Sequence, residues 1–244
     1  MKVIRLLICL NILFGIFSCR STVKEQKDKL YSRHLQRYVD LTIVSTAMPD
    51  KKEKMNLIIC NGFDFLKKTR SKEIIDSLYN EKKIQPLLLV GITGIQNIEI
   101  MEADDSEAKQ YKKYNDFIIR ELYPFVKKKS VIRKFNSVAI GGLGILARRA
   151  FDIAWSNDDK VGIVGMFDPD FGVPEDSSIL QEIKGLRKRP NLKLWIAADK
   201  NDSMTLSFKK IIDGKKSISD CTLTERNVYY DADFAAFLLW AFPK

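Results

Sequence analysis

Residues 138–155 read Val-Ala-Ile-Gly-Gly-Leu-Gly-Ile-Leu-Ala-Arg-Arg-Ala-Phe-Asp-Ile-Ala-Trp. An apolar run passes through glycines into a segment with helical spacing. A strand-to-helix turn of this kind can hold a serine in the pattern G-x-S-x-G, its hydroxyl exposed at the tip as a nucleophile for acyl transfer. Here the middle position is Gly144, flanked by Leu143 and Ile145. Glycine has no side chain with which to attack. Ser137 belongs to the strand before the turn, so its hydroxyl is not placed at the tip. Such a nucleophile also needs a base within hydrogen-bonding reach. The chain contains 1 histidine, His34, in Tyr31-Ser32-Arg33-His34-Leu35 ahead of the core strands. It reads as a surface or strand-edge residue.

The remaining chemistry-bearing types are equally sparse. Nothing in the spacing of cysteine, histidine and carboxylates resembles a metal site, and no cofactor is implied. Cys60 ends an apolar strand and reads as buried. A bridge between Cys60 and Cys221 is open to an oxidising compartment. The formal charge is +10, from 41 basic and 31 acidic residues. The basic residues are scattered, with small clusters at Lys127–Lys129 and Arg187–Arg189. No aromatic residues interleave with them as a base-stacking platform would require, which argues against nucleic acid. The charge reads as a solvated basic surface, with contact to acidic lipid or glycan as the other reading.

The N-terminus carries an address. Lys2 and Arg5 precede the apolar run Leu6–Phe17, and Ile16-Phe17-Ser18-Cys19 then sets a small residue before a cysteine. This resembles a bacterial lipoprotein signal, with residues 1–18 removed and Cys19 lipidated. The run is short for a membrane span. A plain secretory signal or an uncleaved anchor is the alternative. Residues 19–29 then read as a polar tether. The expected location is the cell envelope, facing the periplasm or exposed at the surface, with the membrane contacted through the lipid.

The rest of the chain must position the Gly144 turn. Alternation at Val39–Val44 predicts a half-buried strand. Leu57–Cys60, Pro86–Ile92, Ser137–Ile140, Val161–Phe167 and Leu192–Ala197 predict buried strands, and Asn227–Tyr230 the last one. Helical spacing marks Ser71–Lys83, Tyr114–Val126, Ile145–Trp155, Ser203–Ile212 and Asp233–Phe242. Met48–Lys52 reads as a polar turn and 97–109 as acidic and irregular. Apolar strands alternating with amphipathic helices predict a largely parallel sheet covered on both faces. One domain extends from about residue 30 to 244, a length able to bury a large core.

Several segments, in order, resemble the enterochelin-esterase-like and feruloyl-esterase-like members of the α/β-hydrolases. Leu57-Ile58-Ile59-Cys60-Asn61-Gly62-Phe63-Asp64-Phe65 is similar to their strand ending in an Asp-Gly loop. Residues 86–92 are similar to their P-hydrophobic-V-G-I strand, and Phe117–Lys129 to their F-I-x-x-E-L-x-P-F-I helix. Residues 138–155 align without gaps to V-A-I-A-G-x-S-L-G-G-L-S-A-F-D-I-A-W, and Phe237–Phe242 is similar to their last helix. The resemblance implies an α/β-hydrolase fold, with a largely parallel central sheet and helices on both faces.

It also implies where a triad would stand. Gly144 takes the place of the serine, and a shifted register puts Gly142 there. Leu146 and Ala147 replace the two glycines that follow, and Leu146 is expected to crowd the pocket floor. Counting back from Phe237 puts Glu225 where the histidine would lie. Asp202 takes the place of the acid, but with no histidine to orient it reads as a loop cap or surface carboxylate. The oxyanion donors would be the backbone amides of Ile145 and Phe63. Asn61, Gly62, Glu99, Leu143 and Leu146 would line the pocket.

These readings converge on a lipid-anchored protein of esterase architecture that lacks hydrolysis and binds a small molecule, glycan or protein. The alternative is an active ester hydrolase with a non-standard site built from Glu225, Asp202 and a water. A structural or immunity-type lipoprotein whose fold is incidental is a further class.

Overall fold

The computed structural model describes residues 22–46, 54–62, 64–93, 107–171, 185, 190–214, 218–225 and 229–244. The strands are β1 (Lys24–Ser32), β2 (Arg37–Ser45), β3 (Asn56–Asn61), β4 (Leu87–Ile92), β5 (Val138–Gly144), β6 (Ile163–Pro169), β7 (Leu192–Ala198) and β8 (Ile218–Glu225). They form one 8-stranded sheet in the order β1-β2-β4-β3-β5-β6-β7-β8. From β4 to β8 every neighbour is parallel, while β1 and β2 add an antiparallel hairpin at one edge.

The central strands are apolar on both faces because both faces are covered. All six residues of β3 are buried. Their alternation splits them, with Leu57 and Ile59 in one core and Ile58 and Cys60 in the other. The first core holds Phe117, Phe151 and Phe208. The second holds Phe65, Phe234 and Phe237. The helices that carry these side chains are α1 (Phe65–Lys68), α2 (Ser71–Asn80), α3 (Glu107–Asp116), α4 (Tyr123–Lys129), α5 (Ile145–Ser156), α6 (Ser203–Asp213) and α7 (Tyr230–Ala241). A π-helical segment, Phe117–Leu122, joins α3 to α4. The 114–126 helix expected from the sequence is therefore the middle of a longer rod whose hydrogen bonding widens in the centre.

Two expectations are corrected. Lys24–Lys29, read as part of a tether, belongs to β1, which pairs with β2 from Lys24↔Ser45 to Ser32↔Arg37. An edge strand has one neighbour, and charge along it blocks further pairing. Its Lys24, Glu25, Lys27 and Asp28 therefore mimic a solvated linker. The last strand is Ile218–Glu225, whereas Tyr229 caps and Tyr230 begins α7. β8 is also an edge, so its burial signal is weak; among its described side chains Ile218, Cys221 and Leu223 pack on the core.

Cys60 and Cys221 are free. They lie on β3 and β8, four strands apart, or about 19 Å at ~4.8 Å per strand. A disulfide tolerates a Cα separation of at most about 7 Å, so the bridge left open by the sequence is excluded. Among the described residues no helix is long and apolar enough to cross a membrane. Residues 1–18, Cys19, the turn at 48–52 and Arg187–Arg189 lie outside the described residues, as does most of 97–109.

Candidate functional site

The parallel strands end at one edge of the sheet, where ligands of open α/β folds bind. Asn61 ends β3 and pairs with Gly142 of β5. β5 continues to Gly144 and turns directly into α5. Gly142 is required by packing. A Cβ there would sit 2.3 Å from the Leu146 carbonyl oxygen and 2.5 Å from its carbonyl carbon. The first turn of α5 thus lies directly on the strand. Gly144 differs. A Cβ on it would meet nothing within 4 Å, but its φ is +57° and its ψ −129°. That conformation lies outside the regions open to L-residues. Gly144 is therefore the tip of the turn, with open space beyond it, and Gly142 is not.

The donors of a potential oxyanion site are partly in place. No side chain caps the N-terminus of α5, and the first N–H groups of a helix have no intrahelical acceptor. Ile145 is the first of them. Leu146 is buried, and its Cδ1 lies 3.0 Å from where a Cβ of Gly62 would be. Gly62 has φ +115°. Leu146 therefore lies between the α5 turn and Gly62. Leu143 is half-buried and packs toward the second core. Asn61 is fully buried. Its Oδ1 accepts a hydrogen bond from the Tyr114 hydroxyl at 3.0 Å, while its Nδ2 has no partner among the described residues. Burial pushes the Tyr114 phenol well above its ordinary value. A neutral donor is thereby fixed on Asn61.

Of the other triad positions, Asp202 is engaged elsewhere. Asp202 caps α6, with Oδ1 accepting from the Met204 N–H at 3.0 Å and the Thr205 N–H at 3.3 Å. The Thr205 hydroxyl donates to Oδ2. The cap reading holds, and the carboxylate is occupied. Glu225 ends β8 with its backbone beside Ala198. β8 is three strands from β5, about 14 Å at ~4.8 Å per strand. His34 sits in the β1–β2 turn, at the same end of the sheet as Gly144 but about 14–19 Å away by the same spacing. That distance excludes it as a base for the turn. Phe63 and Glu99 lie outside the described residues, as does the Glu225 side chain.

One cluster beside the turn escaped the sequence reading. Leu143 pairs with Phe167 and Gly144 with Pro169, so Asp168 is the extra residue of a bulge, with φ +48°. Its Oδ2 accepts from the Tyr230 hydroxyl at 3.1 Å. The Lys68 ammonium lies 5.5 Å from the centre of the Tyr230 ring. Burial, then the charge and hydrogen bond of Asp168, push the Tyr230 phenol up to about 12. It is a donor here, not a nucleophile. The signal was Asp168-Pro169-Asp170, a turn-type sequence closing an apolar strand.

No known protein family matches the chain, and no curated protein matches it in sequence. Solved structures do match in fold. A ferulic acid esterase superposes with a TM-score of 0.72 at 14% identity, covering 91% of this chain and 98% of its own. A siderophore hydrolase from Aspergillus nidulans gives 0.70 at 13%, covering 93% and 94%. The enterobactin esterase of Shigella flexneri gives 0.67 at 15%, covering 88% of this chain but 57% of its own. At such identities the likeness speaks to architecture alone. With its mostly parallel sheet, its helices on both faces and the strand–turn–helix at Gly144, this chain has the α/β-hydrolase fold.

Proposed function

We propose that this protein is a catalytically silent α/β-hydrolase that holds a ligand where its structural neighbours hold a scissile one. The observation that carries the reading is Gly144. It occupies the tip of the turn in a left-handed conformation, with space around it and no side chain. Two further observations support it. Asp202 is engaged as a helix cap, and His34 is remote. The donors at the site are the first N–H groups of α5 and the Asn61 Nδ2, which has no partner among the described residues. Such a set suits a carbonyl or carboxylate oxygen of a small molecule, glycan or protein. The protein is held at the cell envelope by a lipid on Cys19.

The test uses residues 20–244 with a fluorophosphonate probe and p-nitrophenyl acetate. The expected result is no labelling and turnover equal to buffer. Covalent labelling, or turnover well above buffer, overturns the reading in favour of a hydrolase with a non-standard site. The anchor is tested separately. Cys19→Ala is expected to release the protein from the membrane fraction, and unchanged retention there rejects the lipid.

A further inference from the structure

The end of the sheet opposite Gly144 has its own unusual chemistry. β5, β6 and β7 begin there, and α4 ends there at Lys129. The helix closes with the Val131 N–H donating to the Lys128 carbonyl at 3.3 Å and the Ile132 N–H to the Lys127 carbonyl at 3.1 Å. This pair of bonds demands a left-handed residue at 131, a position that favours glycine. Val131 occupies it with φ +56° and 86% of its surface exposed. A β-branched side chain is among the worst choices for that conformation. It contributes nothing to the core in return. Folding stability therefore does not account for valine at this position.

Its surroundings do. Lys127 and Lys128 precede it, and Arg133 and Lys134 follow it. A shallow, mostly apolar trough of about 690 Å³ runs along Ile119, Pro124, Val131 and Ile132, rimmed by Lys128 and Arg133. Beside it a polar cleft of about 410 Å³ sets Lys134, Lys160 and Lys193 against Asp158 and Asp159. The first described residues enter the fold at the same end. The Thr22 hydroxyl donates to Asn80, near the C-terminus of α2, at 2.8 Å, and Lys24 shares a cleft with Lys129 and Ser130. Cys19 precedes Thr22 by three residues, a reach of at most about 11 Å.

We propose that this end docks on an anionic phospholipid surface, with Val131 inserted at the interface and Lys127, Lys128, Arg133 and Lys134 on the headgroups. An exposed apolar tip ringed by cations suits that partner. The chain's entry at the same end turns the Gly144 edge away from the membrane. The proposal deepens the envelope reading, but the docking itself needs no lipid on Cys19, so each can fail alone.

The chain from residue 20 contains all of the sheet and both cores. It is tested by sedimentation with vesicles of phosphatidylglycerol and phosphatidylcholine, and with vesicles of phosphatidylcholine alone. The anionic vesicles are expected to bind at least about tenfold more tightly, and less so as salt rises. The triple change Lys128→Glu, Arg133→Glu, Lys134→Glu is expected to remove that preference. Val131→Gly is the decisive variant. It relieves the backbone, so it is expected to raise the thermal midpoint while weakening vesicle binding about threefold or more. A merely structural valine would not move the two in opposite directions. Equal binding to neutral vesicles, no binding, or unchanged binding by Val131→Gly overturns the proposal. So does a dimer in solution that Val131→Gly dissolves, which assigns the trough to a second copy.

Discussion

Three glycines in this chain call for three different responses to alanine, and their order tests the geometry of the turn. At Gly144 a methyl group meets nothing within 4 Å, so the penalty is backbone strain at φ +57°. Holding a non-glycine residue in such a region costs about 1–3 kcal/mol, against which the stiffer unfolded chain returns about 0.4–1 kcal/mol. Gly144→Ala is therefore expected to lose about 1–2 kcal/mol. At Gly142 the obstacle is backbone. A Cβ 2.3 Å from the Leu146 carbonyl oxygen and 2.8 Å from the Ala147 nitrogen forces the first turn of α5 off the sheet. Neither atom belongs to a side chain that could rotate away. Gly142→Ala is expected to lose about 3 kcal/mol or more, the upper part of the range for overpacking. Gly162 also has open space but no left-handed φ. Gly162→Ala is expected to gain about 0.4–1 kcal/mol through the unfolded state. Urea unfolding followed by tryptophan fluorescence measures all three at constant m-value. A neutral or stabilising Gly144→Ala shows that residue 144 is not left-handed, and the assignment of the turn falls. A Gly142→Ala milder than Gly144→Ala refutes the close approach of α5.

Two further predictions rest on side chains. Asp202→Ala is expected to lose about 1 kcal/mol of stability by urea unfolding, the ordinary value of a helix cap, since two backbone N–H groups lose their acceptor. A much larger loss, or none, rejects the capping role. The fold is also expected to weaken at alkaline pH. Burial pushes the Cys221 thiol from 9.0 up to about 12 and the Tyr230 phenol from 10.0 up to about 12. Both groups stay protonated in the folded state after the unfolded chain has released its protons, so stability is full below about pH 9 and falls as pH rises toward 12. Urea midpoints over that range are expected to decline, and Cys221→Ala together with Tyr230→Phe to flatten the decline. An unchanged slope in the double variant rejects those two groups as its source.

How far the sequence could be read depended on burial. β3 and β4 lie inside the sheet, and their unbroken apolar runs announce them within a residue of their ends, while β5 runs four residues past Ile140 through its glycines to Gly144. β1 and β8 are edges with one neighbour each, and their alternation is diluted by charge or hydroxyls. The charge of β1 therefore reads as a tether, and the weak pattern of β8 shifts the expected last strand to 227–230. The turn was legible because glycine at 142 and at 144 is dictated by contact and conformation. The Asp168–Tyr230 pair was not. It joins residues 62 apart in sequence through a bulge, and no periodicity encodes a bulge. Asn61 to Tyr114 is the same kind of case, a hydrogen bond across 53 positions.

The turn keeps its form without a nucleophile because the core, not the chemistry, sets that form. α5 buries Leu146, Ala147, Ala150, Phe151, Ile153 and Ala154, and it can lie on β5 only because Gly142 lets its first turn approach. Once α5 is fixed by those contacts, the residue between strand and helix must be left-handed whatever its identity. Glycine adopts that conformation without strain. A serine there would carry the strain and, with the one histidine, His34, out of reach, gain no reactivity from it. Leu146 makes the arrangement consistent. Its side chain lies in the gap toward Gly62, with Cδ1 3.0 Å from where a Cβ of Gly62 would be. Gly144→Ser alone is therefore expected to remain silent to a fluorophosphonate probe, and adding Leu146→Gly to open the gap without restoring a base. Labelling of the single variant would mean that a general base stands near residue 144 and that the site lacks only its nucleophile.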